Sequence, residues 1–199
     1  MIRIQNLRSE ILNVPALTIS DGLTAVTGDN GAGKTTFLRL CAGITLPAAG
    51  TVEIDGVPPR SCDAGYVSEF PDRHLIFAVV REEISSSLRF AHKNPDEIDA
   101  AVAAAADRFG LTQLLDRECR TLSGGEKMLV GIAAAVVGKP DLLVLDEPDS
   151  HLDPETVAEI LSLVRAAGCP NVLWSTHAPA VWNAADQVLQ IRSGRVILP

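Results

Sequence analysis

Apolar and polar positions alternate from the first residues of the chain. Met1–Leu7 alternates around Ile2 and Ile4, and Ile11–Ser20 is rich in β-favouring residues around Pro15, which predicts two strands. An Asp21-Gly22 turn leads into a short apolar strand, Leu23–Thr27, and a glycine-rich loop follows it. The spacing then becomes helical over Lys34–Ala42, closed by Gly43. Further strands are predicted at Thr51–Ile54, before the Asp55-Gly56 turn, and at Ala64–Val67.

The middle of the chain is helical in period. Val79–Phe90 carries apolar residues at helical spacing. Asn94-Pro95-Asp96-Glu97 combines a capping Asn, Pro at the first helical position and Glu three residues after the cap. An alanine-rich helix follows to about Phe109 and stops at Gly110. The last third alternates. It reads as helix Gly124–Val137, strand Leu142–Leu145, a helix capped by Asp153-Pro154 and ending near Ala167-Gly168, then strand Val172–Ser175. Asp186–Ile191 and Arg195–Leu198 read as a final hairpin around Gly194.

Alternating strands and helices imply an α/β fold with parallel strands. The expected organisation is a single domain over 1–199, in which 1–70 and 138–199 form the α/β core and 71–137 a helical subdomain inserted into it. The length of 199 residues suits one such domain. Apolar types at 47 % and charged types at 21 % are those of a folded protein.

Charge and cysteine usage exclude several classes. Seventeen Lys plus Arg against twenty-five Asp plus Glu give a net charge of −8, which argues against a general nucleic-acid binder. No apolar run approaches the ~18 residues of a bilayer span. The longest, Leu129–Val137, is interrupted by Gly131. The opening MIRIQNLRSE turns polar within a few residues and does not read as a signal peptide. Cys41, Cys62, Cys119 and Cys169 are scattered without a CxxC pair, which fits a reduced cytosolic chain better than a zinc site or a disulfide framework.

The chemistry begins at Gly28-Asp29-Asn30-Gly31-Ala32-Gly33-Lys34-Thr35, which matches G-x-x-x-x-G-K-[ST] between a predicted strand and a predicted helix. Glycines let the backbone curl so that several N–H groups face one phosphate chain, and the helix opening at Gly33 adds its positive end. Lys34 would place a cation on the β- and γ-phosphates, and Thr35 a hydroxyl on Mg²⁺. A chance glycine turn would have to meet all four fixed positions and both flanks, which is rare when glycine is about 7 % of residues.

Leu142–Leu145 is an apolar strand ending in Asp146-Glu147. Carboxylates at a strand's carboxyl end sit where α/β sheets hold ligands. Asp146 suits Mg²⁺, and Glu147 suits orienting or deprotonating an attacking water. By itself the pair would equally describe a solvated acidic turn. His177, in Ser-Thr-His after another strand, is placed to face the same site, whereas His74, His92 and His151 read as surface residues. Leu122-Ser123-Gly124-Gly125-Glu126 lies 21 residues before Asp146 and opens a helix, offering a second phosphate-binding surface. One ATP has a single γ-phosphate, so this surface makes sense for the nucleotide of another copy.

The ordered set GDNGAGKTT, LSGGE, LLVLDEP, Ser150-His151-Leu152-Asp153 and STH resembles the ATP-binding-cassette (ABC) ATPases, the nucleotide-binding subunits of ABC transporters, over nearly the whole chain. Gly65–Asp72 and Val79–Ile84 most resemble the energy-coupling-factor and cobalt-type importer ATPases, and the first loop is also similar to that of compact exporter cassettes. The resemblance implies a P-loop NTPase core with a mixed, mostly parallel sheet flanked by helices and a small inserted helical subdomain. It implies Asn30, Gly31, Ala32, Gly33, Lys34, Thr35 and Thr36 around the nucleotide. Thr35, Asp146 and Glu69 would serve Mg²⁺, and Glu147 and His177 catalysis. Ser123, Gly124, Gly125 and Glu126 would close on the nucleotide of a second cassette, identical or different, with Asp153 in the loop linking the two sites. It further implies MgATP hydrolysis, integral-membrane permease subunits as partners, no nucleic acid, and a cytoplasmic place on the inner face of the plasma membrane.

The chain departs from that family at several points. Glu69 stands in place of a glutamine, Glu126 in place of another, Leu129 where arginine is common, and Ala178 where an aspartate commonly follows the histidine. Residues 1–27 contain no aromatic side chain, so the residue that stacks on adenine is missing and base selectivity is expected to be weak. Leu75–Val80 is apolar enough either to dock a permease helix or to form the core of the helical subdomain. Two rival readings remain at this level. A soluble, non-transport ABC ATPase would usually carry a long coiled coil, and no sustained heptads occur. A hydrolysis-impaired regulatory cassette is favoured by Glu69 and Leu129 and opposed by Lys34, Asp146, Glu147 and His177.

Overall fold

The computed structural model describes residues 1–73 and 75–198. In chain order, β1 (Ile2–Arg8), β2 (Asn13–Ile19) and β3 (Gly22–Thr27) precede α1 (Lys34–Cys41), and β4 (Ala49–Ile54) and β5 (Ala64–Ser68) precede three helices. These are α2 (Val80–Phe90), α3 (Pro95–Arg108) and α4 (Gly124–Val136). Strand and helix then alternate through β6 (Leu142–Asp146), α5 (Pro154–Ala167), β7 (Asn171–Ser175) and α6 (Pro179–Ala184), ending in β8 (Gln187–Arg192) and β9 (Arg195–Ile197).

The strands form two sheets. The larger runs β5-β6-β7-β3-β8-β9, parallel except for β9. The smaller is antiparallel in the order β2-β1-β4, with Ile4 opposite both Leu17 and Val52. The mostly parallel sheet is the expected one. The separate antiparallel layer arises because β1, β2 and β4 each bury a single face, and that face packs on the same core as α1.

Period-two alternation divides the interior. Leu143 and Leu145 of β6 face the core shared with α2–α5, while Leu142 and Val144 face the core shared with α1 and the small sheet. A strand apolar on both faces belongs in the middle of a parallel sheet. Each of these fully buried aliphatic side chains contributes about 1.5–3 kcal/mol relative to exposure.

Helices α3, α4 and α5 start at side-chain capping residues. Asn94 accepts from the Asp96 N–H at 3.0 Å to open α3. α6 escaped the sequence pattern because it is a six-residue helix with only Val181 buried, too short for periodicity to register. The register aligns Asp146 with Ser175 across β6–β7, and Ser175 with Val26 across β7–β3. Three parallel strand ends therefore reach one edge of the sheet at the same level.

Candidate functional site

The loop between β3 and α1 occupies that edge. Gly28 adopts φ +147°, and a Cβ there would lie 2.4 Å from the Ile191 carbonyl oxygen, so only glycine lets the loop pass. Gly33 caps α1 in the left-handed conformation at φ +109°. The chain then enters α1 with Lys34 only 4 % exposed. An unpaired buried ammonium is costly, and Lys34 is fully engaged. Its Nζ donates to the Gly28 carbonyl at 2.8 Å, pairs with Glu147 Oε1 at 3.0 Å and lies 3.3 Å from His177 Nε2. His177 Nε2 is in turn 3.8 Å from Glu147 Oε1.

Asp146 lies beside this cluster and is buried. Its Oδ1 accepts from the Ser175 hydroxyl at 2.8 Å and the Thr35 hydroxyl at 3.2 Å, and its Oδ2 accepts from the Tyr66 hydroxyl at 2.9 Å. Burial, reinforced by the Asp146 charge, pushes the Tyr66 hydroxyl well above its usual ionisation range. Glu147 takes a left-handed φ of +52°. Its N–H is held by the Ser175 carbonyl at 3.0 Å and the Ser175 hydroxyl at 2.9 Å, and its carboxylate turns back onto Lys34. Non-glycine residues with positive φ are uncommon and cluster at functional sites.

A cavity of about 420 Å³ opens over these groups. Of the expected nucleotide residues, Asn30, Gly31, Gly33, Lys34, Thr35 and Thr36 line it, together with Asp146, Glu147 and Glu69. The Ala32 side chain packs instead on the core beneath. Sequence reasoning missed Ile11, Arg39, Ser68 and Phe70, which also line the cavity. Arg39 follows Thr35 by one helical turn, and Ser68 is in register with Asp146. Both were legible from spacing once the neighbouring strands were known.

Glu69 reaches the cavity rim, yet its carboxylate turns toward the 150s loop. Its Oε1 accepts from the Ser150 hydroxyl at 3.4 Å and lies 3.5 Å from His151 Nε2, while Phe70 stacks on His151 with ring centroids 5.8 Å apart. Glu69 shares the cavity lining with Thr35 and Asp146. His151 is exposed as expected, but it has partners. His92 is exposed, and His74 lies outside the described residues. Among the described residues no three His, Cys, Asp or Glu gather as a metal site. Thr35 and Asp146 do offer two hard oxygen donors side by side, which suits Mg²⁺ taking its other ligands from phosphates and water.

The Ser123–Glu126 turn lies elsewhere and lines none of this cavity. It opens α4 with a reciprocal capping box. The Ser123 N–H donates to Glu126 Oε2 at 2.7 Å and the Glu126 N–H donates to the Ser123 hydroxyl at 3.3 Å. These bonds hold the Glu126 carboxyl below its ordinary range, the Ser123 N–H contributing most. A Cβ on Gly124 or Gly125 would meet nothing within 4 Å, so the turn faces open space. Asp153 caps α5 by accepting from the Glu155 and Thr156 N–H groups, each at 3.0 Å, and from the Thr156 hydroxyl at 2.7 Å. The Thr156 hydroxyl is the main cause holding its carboxyl low. Leu129, where an arginine was expected, packs partly buried on the helical core.

The apolar 75–80 stretch divides between its two readings. Val80 is fully buried and Ile76 is 81 % exposed. Leu75, Phe77 and Ala78 line a second cavity of about 380 Å³ with Glu118, Cys119 and Arg120. Glu83, not foreseen, holds this stretch by accepting from the Ile76 and Phe77 N–H groups at 2.8 and 2.7 Å, and burial pushes its carboxyl up.

Phe70 is an aromatic side chain on the main cavity's lining, and its ring lies against His151. Ile11 also lines it, Trp174 is fully buried, and Trp182 lines a separate cavity of about 340 Å³ with Gly28 and His177.

Comparisons with known proteins converge. Residues 12–150 match the family described as ABC transporter. The energy-coupling factor transporter ATP-binding protein EcfA1 of Symbiobacterium thermophilum is 36 % identical over 183 residues, spanning 86 % of this chain and 64 % of that protein. The biotin transport ATP-binding protein BioM of Rhizobium etli is 32 % identical over 186 residues, 90 % of this chain and 82 % of that protein. Among solved structures, cbiO1 from Clostridium perfringens, part of the ABC transporter complex cbiONQ, aligns with a TM-score of 0.88 at 30 % identity, covering 99 % of this chain and 86 % of that one.

Proposed function

The chain belongs to the ABC transporter family as an ABC ATPase of the energy-coupling-factor type, and from that premise we propose that it is the MgATP-hydrolysing subunit that powers a separate membrane permease. The observation that carries the chemistry is the cluster of Lys34, Glu147 and His177 around one point, beside the Thr35–Asp146 pair.

In this reading the loop N–H groups and Lys34 bind the triphosphate. The γ-phosphate takes the place of the Glu147 carboxylate at Lys34, and Glu147 then turns to orient and deprotonate the attacking water. His177 donates a hydrogen bond to the γ-phosphate. Thr35 and Asp146 would hold Mg²⁺, which neutralises phosphate charge when bound. Ser123, Gly124 and Gly125 would close on the nucleotide of a second cassette, so that two chains sandwich two ATP head to tail. Asp153 would lie in the loop linking the two sites.

Residues 1–70 and 138–199 would act as the nucleotide-binding core and 71–137 as the helical part. The cavity at Leu75, Phe77 and Ala78 supports a role in receiving a permease segment. Among the described residues no helix is long and apolar enough to cross a membrane. The proposed place is peripheral, on the cytoplasmic face.

A second reading, a hydrolysis-impaired regulatory cassette, draws on Glu69 facing Ser150 and His151 rather than the Thr35–Asp146 pair. A single-turnover assay separates the two. Phosphate release from MgATP that disappears in Lys34→Ala supports hydrolysis. Tight ATP binding with no release by the parent chain supports the regulatory reading.

A further inference from the structure

The loop bearing Glu147 and the loop bearing His177 are joined by a side chain outside the chemistry already assigned. Asp149 follows Glu147 by two residues. Its Oδ1 accepts from the Trp174 indole N–H at 2.9 Å, and its Oδ2 accepts from the Thr176 hydroxyl at 2.5 Å. Trp174 is fully buried in β7 and Thr176 is 1 % exposed, so both donors are fixed by packing. The Thr176 hydroxyl also accepts from the Ala178 N–H at 2.9 Å. The Thr176 carbonyl accepts from the Trp182 indole N–H at 3.2 Å, and the Thr176 N–H donates to the Val26 carbonyl at 3.2 Å. Residues 176 and 178 are thereby pinned on both sides of His177, and Asp149 ties that pinning to the turn that carries Glu147.

We propose that Asp149 is a positioning residue that fixes His177 relative to Glu147 by carrying the Trp174 and Thr176 hydrogen bonds across from one loop to the other. The chemical reason is directional. A carboxylate carried by the Glu147 loop, with both oxygens bonded to the segment that leads into His177, sets a distance between the two loops, and charge-assisted hydrogen bonds are shorter and about twice as strong as neutral ones. The sequence makes the need visible, because Ala178 gives the histidine loop no side-chain carboxylate of its own. The arrangement leaves Lys34 Nζ, Glu147 Oε1 and His177 Nε2 within 3.8 Å of one another. Small misplacements of such groups are costly to rate.

This role rests on the hydrolytic reading above, so the test uses one readout that needs turnover and one that does not. Asp149→Ala and Thr176→Val should each lower kcat about tenfold while leaving the KM for ATP within about twofold. The double variant should be no worse than either single, because both cut the same chain of bonds. Thr176→Ser keeps the hydroxyl and should match the parent. In NMR spectra, with His177→Ala identifying the signal, the His177 imidazole resonances should shift in Asp149→Ala and Thr176→Val and stay in place in Thr176→Ser.

Unchanged His177 resonances in both loss variants would overturn the proposal. So would parental kcat in Asp149→Ala under conditions where Glu147→Gln is inactive. If the parent chain releases no phosphate, the hydrolytic reading fails by itself, and the His177 resonances still decide this inference. If Asp149→Ala does not fold, the Thr176→Val and Thr176→Ser pair carries the same comparison.

Discussion

The phosphate cavity and the Ser123–Glu126 turn are both glycine-rich entrances to helices, but they differ in what surrounds them. At the cavity, Lys34 is answered by Glu147, and Asp146 by Thr35, Ser175 and Tyr66. At the turn, Ser123 and Glu126 cap each other, and Gly124 and Gly125 face open space. The first is a complete anion site that the fold built from three strand ends. The second is a surface held by local capping, which the proposed second cassette would complete. Two such unequal surfaces on one molecule suit pairing of copies, each completing the other's site.

The largest expected effect falls on the complete site. Glu147→Gln keeps the shape of the side chain and removes the base. Turnover should fall by roughly 10²-fold or more, with ATP binding nearly intact. Phosphate release within a factor of two of the parent would remove Glu147 from the chemistry and leave the cavity a binding site only.

A middle-sized effect sharpens what the cavity recognises. Stacking a base on an aromatic ring is worth about 1–3 kcal/mol, and Ile11 stands at the cavity without a ring. Competition titrations should place ATP and GTP affinities within about tenfold of one another, since the triphosphate is common to both. Ile11→Tyr should tighten ATP by about tenfold. A preference of the parent for ATP beyond about a hundredfold would show that another side chain reads adenine.

Much of this was legible from sequence because the decisive signals are local. The glycines and Lys34 of the first loop, the apolar run into Asp146-Glu147, and the Asn94 and Asp153 caps each depend on residues a few positions apart. What was not legible depends on neighbours brought together by topology. Tyr66 reaches Asp146 only because β5 lies beside β6 with Ser68 opposite Asp146. Glu69 engages Ser150 and His151, a pairing set by where the loop after β6 passes. The separate antiparallel sheet was missed for the same reason, since alternation assigns a face to each strand but no partner.

The smallest expected effect lies on the turn. The Ser123 N–H holds the Glu126 carboxyl below its usual range, so the ionised form stabilises the folded chain. That contribution is present above the ordinary glutamate value of about 4.3 and is lost as pH falls through the lower folded value. Glu126→Gln retains the capping geometry without the charge. Its melting temperature should sit slightly below the parent's at neutral pH, and the gap should close as pH falls through the acid range. A gap independent of pH would show that the charge adds nothing to the cap.

The pairing of a complete site with an open half-site is tested most directly by mass in solution. Glu147→Gln with MgATP, followed by light scattering, should shift from the mass of one chain to that of two, and Ser123→Arg in the same background should remain single by blocking the turn. An unchanged single-chain mass for Glu147→Gln at saturating ATP, alone and with permease subunits present, would contradict the account.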